Sequence, residues 1–281
     1  MDSQPTTTRR LPREIAPNIV WMGACQELSS GLIHIDQAGD YWHSHGSIYL
    51  LKGSEHTLLV DTSSPNRWPV LEQQLDEVLG DRGLDFIAPT HPEPAHVGNL
   101  FRLLQRYPEA RVIGDLRDYH LFFPRYADRF DTLPAGTRIP LGGLEFELLP
   151  GPIKDLVSTQ WGYESTNQVI FVGDGFAYVH PRPEGVESEA AIHAVGECAM
   201  LTTELPIKPQ VEHAVFITQA ALWWARYLDA GPIFQEALDI IADHPARIVA
   251  PAHGNVITNF DAVLPVLLQA FAIARQQGLP K

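Results

Sequence analysis

The most chemically loaded stretch of the sequence is Thr90-His91-Pro92-Glu93-Pro94-Ala95-His96. His91, Glu93 and His96 are three potential metal ligands within six positions, directly after the apolar run Phe86-Ile87-Ala88. Pro92 and Pro94 exclude a regular helix over this segment and hold its side chains in a restricted presentation. Imidazole combined with carboxylate suits iron, zinc or manganese. Two further donors follow apolar runs in the same way: Asp174 in Val172-Gly173-Asp174-Gly175 and His253 in Ala250-Pro251-Ala252-His253-Gly254. The adjoining glycines let backbone approach a ligand closely. Singly, Asp174 reads as a turn former and His253 as a solvated loop histidine. Together, His91, Glu93, His96, Asp174 and His253 have the makeup of a two-metal site with a bridging carboxylate.

The elements that must carry these residues are legible as apolar runs and turns. Strands are expected at Asn18–Met22, Gly31–Ile35, Ser47–Leu51, Thr57–Asp61, Phe86–Thr90, Arg111–Gly114, Leu144–Leu149, Gln168–Val172 and Arg247–Ala250. Helical spacing appears over Pro69–Gly80, Val97–Tyr107, Ala220–Leu228, Pro232–Ala242 and Asp261–Gln277. No composition shift or Gly/Ser/Pro linker divides the chain. The expected organisation is a flexible N-terminal segment over 1–16 and a single α/β domain over 17–281, with two packed sheets and helices outside.

Composition narrows the function classes. The chain has 281 residues, 45% of them hydrophobic, enough to build a substantial core rather than a disordered or disulfide-stapled chain. A formal net charge of -14 repels phosphate backbones, so no nucleic-acid partner is expected. No run approaches the apolar length of a membrane span, and Met1–Arg13 lacks the apolar stretch of a signal peptide, so a cytoplasmic protein with no membrane partner is expected. The two cysteines, Cys25 and Cys198, lack metal-ligand spacing and read as two thiols in a reducing compartment.

On these motifs the chain resembles the metallo-β-lactamase fold, and within it the di-iron branch of flavodiiron and oxygen-binding di-iron proteins. Hydrolases of that fold carry His-x-His-x-Asp-His; the di-iron branch carries His-x-Glu-x-Asp-His. Here the motif is His91-x-Glu93-x-Ala95-His96. The resemblance covers roughly 17–260 and includes Val60-Asp61-Thr62, Phe171–Phe176 and the stretch from Trp223-Trp224 to His253-Gly254. It implies an αββα sandwich of two mixed sheets, with His91, Glu93 and Asp174 on one metal and His96, Asp174 and His253 on the other. Two departures stand out. The loop aspartate is replaced by Ala95, and no histidine occurs in Pro150-Gly151-Pro152-Ile153-Lys154-Asp155, where the family places one. His43, His45 and His180 are candidates to line the pocket. His34, His56, His120, His193, His213 and His244 are assigned no role. The Trp223-Trp224 pair reads as core packing or a subunit contact.

The resemblance implies a non-haem di-iron or single-iron oxidoreductase that binds or reduces dioxygen, or oxygenates a small substrate. Zinc and manganese are the alternative metals. No FMN domain is expected, because no Gly-rich phosphate loop is present, so electrons would come from an external donor; a homodimer is compatible with the aromatic content. Two readings from other classes stand beside this one. The first is a metal-dependent hydrolase of the same fold, acting on an ester, lactone or thioester. The second is a non-catalytic oxygen or redox sensor with a degenerate metal site. No catalytic residue beyond the metal ligands is assigned.

Overall fold

The computed structural model describes residues 9–28, 42–181 and 192–278, and its strands form two sheets. The first runs in chain order through β1 (Arg13–Ala16), β2 (Ile19–Leu28), β3 (Trp42–Lys52), β4 (Thr57–Val60), β5 (Phe86–Ala88), β6 (Arg111–Gly114) and β7 (Phe130–Thr132). Pairing is antiparallel up to β4 and parallel from β4 to β7. The second sheet contains β8 (Arg138–Pro140), β9 (Glu145–Pro150), β10 (Gln160–Glu164) and β11 (Val169–Gly173) as antiparallel neighbours. Two short strands, β12 (His180–Pro181) and β13 (Ile192–His193), extend the first sheet by pairing with β3 and β2. The last strand, β14 (Ile248–Pro251), returns to the second sheet parallel to β11.

Side-chain alternation along each strand sets the layers. Leu58 and Val60 of β4 face inward, with Trp21 and Tyr49, onto Val169 and Phe171 of β11 and Phe146 of β9. Leu59 faces outward, with Met22 and Ile48, onto Leu71 and Leu75 of α1 (Trp68–Leu79). After the turn of α2 (Pro94–Val97), α3 (Leu100–Arg106) adds Leu100 and Leu103 to that layer, and α4 (Tyr119–Phe122) adds Tyr119. On the far side, Ile170 and Val172 pack against α5 (Val211–Ala221), α6 (Gly231–Asp243) and α7 (Phe260–Gly278) through Ala214, Phe234 and Leu267. Each fully buried Leu, Ile or Phe contributes about 1.5–3 kcal/mol, so both faces of β4 and β11 hold the sandwich together. The expected α/β sandwich of two mixed sheets with helices outside is the observed architecture.

Several local expectations change. Residues 13–16, assigned to a flexible segment, form β1, anchored by pairing with β2 and by Arg13 bonding Glu204. The helix expected over 220–228 ends at Ala221, and Trp223–Arg226 form a single 3₁₀ turn. Pro94 does not exclude helix. It sits at the first position of α2, where a missing N–H costs nothing. Residues 31–35, expected as strand, lie outside the described residues. Among the described residues, no helix is long and apolar enough to cross a membrane.

Candidate metal centre

Four strands of the sandwich end at one place. In the first sheet, β4 runs into Asp61 and β5 into Thr90-His91; in the second, β11 runs into Asp174 and β14 into His253. Asp61 adopts a left-handed backbone, φ 61°, which aspartate tolerates better than most residues. Gly173, φ 54°, is more tightly specified, because a Cβ there would stand 2.9 Å from Thr90 Oγ1. The two sheets are stitched at this point by Ser47 N of β3 donating to Ala252 O, just past β14, at 2.9 Å.

The five residues singled out in the sequence converge here. Asp174 Oδ1 lies 3.2 Å from His96 Nε2 and 3.3 Å from His253 Nε2, while its Oδ2 lies 3.7 Å from His91 Nε2. His91 and His96 pack ring against ring at 3.8 Å between centroids. One donor atom each from His91, His96 and Asp174 falls within a mutual 4.8 Å, as does one each from His91, Glu93 and Asp155. His91 Nε2, His96 Nε2 and Asp174 Oδ1 are buried and have no hydrogen-bond partner. Orphaned buried polar atoms are costly, and three of them aimed at one volume, with no hydrogen-bond geometry between them, fit a cation.

The remaining ring nitrogens are occupied in ways that fix tautomers. His96 Nδ1 donates to Asp61 Oδ2 at 2.9 Å, and Asp61 is itself held by Thr90 N at 2.7 Å. His253 Nδ1 donates to the His45 carbonyl at 2.5 Å. Both arrangements turn Nε2 toward Asp174, the usual role of a carboxylate or carbonyl behind a metal-binding imidazole. In the sequence Asp61 ends a strand and belongs to a segment that carries the resemblance, with no role at the metal centre assigned to it.

Asp155 was not anticipated at all. It falls in the loop where the family histidine is absent, its carboxyl is buried, and its Oδ2 is 3.7 Å from His91 Nε2. Trp224 Nε1 donates to the Lys154 carbonyl at 2.6 Å and so pins this loop, giving the buried member of the Trp pair a positioning role; Trp223 is exposed. Ala95 is half-buried on α2 and brings no donor.

Charge at the centre is unbalanced without a cation. Burial pushes the His91 imidazole down to about 3, reinforced by neighbouring His96. Burial also lowers His253. On His96 burial acts the same way, but the carboxylates of Asp61 and Asp174 outweigh it and hold the proton well above the ordinary histidine range. Burial works to raise Asp174, yet the His96 and His253 imidazoles hold its carboxyl well below the usual value. Burial, then Glu93 and Asp174, push Asp155 up to about 8. Four carboxylates face three imidazoles, an excess of negative charge that divalent cations offset.

A cavity of about 540 Å³ opens onto this cluster, lined among others by Ser44, Arg67, Glu93, Asp174, Ile217 and His253. Arg67 is buried and donates to the Ser44 carbonyl at 3.3 Å. It passes so close to β3 that a Cβ on Gly46 would meet its Nη1 at 1.6 Å. His43, His45 and His180, expected at the pocket, are not among the residues lining this cavity. They lie behind it with Cys25 and Cys198, where His180 Nε2 is 3.5 Å and His43 Nδ1 3.6 Å from a cysteine sulfur. Alternation along β3 explains the difference: His43 and His45 share one face of the strand, and Ser44 takes the cavity side.

Comparison with known proteins places the chain in a family and shows its fold. The family model of the ODP family beta lactamases matches residues 45–254. A putative diflavin flavoprotein A 2 of a Nostoc species is 29% identical over 169 residues, which is 58% of this chain and 28% of that protein. The rubredoxin oxygen:oxidoreductase of Desulfovibrio gigas superposes with a TM-score of 0.69 at 14% identity, covering 94% of this chain and 61% of that one. The flavodiiron protein of Giardia intestinalis does so with a TM-score of 0.66 at 13% identity, covering 99% and 60%. The chain spans about a quarter to a half of the length of the curated relatives it matches. At these identities the structural likeness is one of fold.

Proposed function

Since the chain belongs to the ODP family of β-lactamase-fold proteins and resembles flavodiiron proteins, we propose that it is a non-haem di-iron oxidoreductase unit that reduces dioxygen. The observation that carries this reading is the donor set: His91, His96 and His253 with Glu93, Asp155 and Asp174, and no sulfur. Mixed imidazole and carboxylate ligation without thiolate suits non-haem iron as it does zinc or manganese, and the likeness to flavodiiron proteins favours iron among them. His91, Glu93, Asp155 and Asp174 would hold one ion, and His96, His253 and Asp174 the other. Iron held there would supply the redox chemistry, with the electrons drawn from a reductant.

The chain's own residues do the rest. Asp61 and the His45 carbonyl hold His96 and His253 in the tautomer that presents Nε2. Asp174 offers one oxygen to each side of the pair. Asp155 stands where the family has a histidine, so the site keeps a donor at that corner but changes its charge. Ala95 leaves the second position one carboxylate short of the family pattern, and the cavity lined by Arg67, Asp174 and His253 adjoins the cluster. Arg67 places a permanent cation at that opening, suited to anionic oxygen. The full reduction of dioxygen to two waters takes four electrons and four protons. The reading therefore requires an external reductant and solvent protons, and the 540 Å³ cavity is the route by which both reach the centre. Rubredoxin oxygen:oxidoreductase, whose core superposes on this chain, names dioxygen as its substrate.

The test is oxygen uptake by iron-loaded protein supplied with a small-molecule reductant. Consumption that tracks iron content and is absent from the zinc-loaded protein is the expected result. Hydrolysis of ester, lactone or thioester substrates by the zinc form, with no oxygen uptake by the iron form, would replace this reading with the hydrolase.

A further inference from the structure

The two cysteines do not lie apart. Cys25 on β2, His43 on β3, His193 on β13 and Cys198 in the turn Gly196–Ala199 each bring one donor atom within a mutual 4.8 Å. Cys198 Sγ stands 3.0 Å from His193 Nε2 and 3.6 Å from His43 Nδ1. A tetrahedral ion with bonds of about 2.3 Å to sulfur and about 2.05 Å to nitrogen separates those atoms by about 3.6 Å. Cys25, His43 and Cys198 are buried, and His193 is half-buried. Strand register produces the cluster, with His193 directly opposite Cys25 across β13 and β2.

We propose that Cys25, His43, His193 and Cys198 form a second metal site, separate from the centre at Asp174, that takes a thiophilic divalent cation of the zinc class in a closed tetrahedral shell. Apolar packing does not account for the arrangement. Buried thiols by themselves behave as small hydrophobes, but a third and fourth imidazole crowd this pair. His180 Nε2 is 3.5 Å from Cys25 Sγ, and His45 Nε2 donates to the Cys198 carbonyl at 2.8 Å. His45 Nδ1 is buried without a hydrogen-bond partner.

The chemistry separates the two centres. Thiolate ligands select zinc and other soft ions, whereas the sulfur-free centre at Asp174 suits iron. The proposed ion ties together β2, β3, β13 and the Gly196–Ala199 turn, which are distant in sequence. It also braces β3, whose His45 carbonyl receives the His253 Nδ1 proton. A closed shell with both sulfurs buried leaves no open position for a substrate, so its role is structural.

Cobalt(II) titration of the reduced, chelator-treated full chain tests this. The expected result is a sulfur-to-cobalt charge-transfer band with strong tetrahedral ligand-field bands, saturating at one equivalent and abolished by zinc. The centre at Asp174 contains no sulfur and cannot produce that band, so the outcome is independent of the di-iron reading. Cys198→Ser should weaken cobalt binding and diminish the band, leaving only the contribution of Cys25. Should that variant fail to fold, His193→Ala, at the half-buried edge, should weaken cobalt binding roughly tenfold or more. Absence of a sulfur-to-cobalt band in the folded wild type would overturn the proposal. So would an undiminished band with unchanged cobalt affinity in Cys198→Ser, unchanged cobalt affinity in His193→Ala, or a Cys25–Cys198 disulfide whose reduction restores no metal uptake.

Discussion

Asp174→Ala is expected to empty the second iron position, weaken binding at the first and bring oxygen uptake to background. Its Oδ1 faces His96 and His253, and its Oδ2 faces His91, so one side chain serves both halves of the centre. Without it, the second position keeps only two imidazoles, too few to compete with buffer for a divalent ion. The first position loses its carboxylate on the side shared with the second. The fold should survive, because the core between β11 and its neighbours is built from Val169, Phe171, Ile170 and Val172 rather than from the residue after the strand. Iron content and circular dichroism measured on the same preparation check this. A folded Asp174→Ala protein that retains both irons would show that this carboxylate does not bridge.

Asp155 should affect one position only, and its replacement by histidine should be tolerated. Asp155→Ala removes a donor from the set it forms with His91 and Glu93 and leaves His96 and His253 untouched. Iron at the first position should bind more weakly and be partly lost, with that at the second position unchanged. Asp155→His should restore binding, since imidazole serves iron as well as carboxylate and the loop is held from behind by Trp224 bonding the Lys154 carbonyl. Iron stoichiometry of the two variants side by side is the measurement. Equal loss in both would mean that the corner requires a carboxylate; no loss in either would remove Asp155 from the centre.

The legible part of the site has a common physical cause. His91, Glu93, His96, Asp174 and His253 each follow an apolar run buried on both faces, and such runs end at a sheet edge where side chains can meet. Asp155 carries no such signal. In Pro150-Gly151-Pro152-Ile153-Lys154-Asp155 a carboxylate is indistinguishable from a turn former until the loop is seen folded over His91. Cys25 and Cys198 escaped for a different reason: their partners come from strands paired across the sheet, and no spacing along the chain encodes that register. The fold shows the same division. β4, β5 and β11 were plain as apolar runs, whereas β10, Gln160-Trp161-Gly162-Tyr163-Glu164, has polar ends and a central glycine. Its position depends on pairing with β9 and β11 on either side. Likewise Trp42–Gly46 reads as a histidine-rich loop, yet the chain there is the start of β3, because β2 and β12 satisfy its backbone.

The most direct measurement is anomalous X-ray diffraction at the iron absorption edge from crystals of protein loaded with iron under reducing conditions. Two iron peaks flanking the Asp174 carboxylate are expected, one within bonding reach of His91, Glu93 and Asp155 and the other within reach of His96 and His253. An iron-replete crystal with no peak beside Asp174, or with peaks whose ligands exclude His91 and His96, would contradict the assignment of this cluster as a di-iron centre.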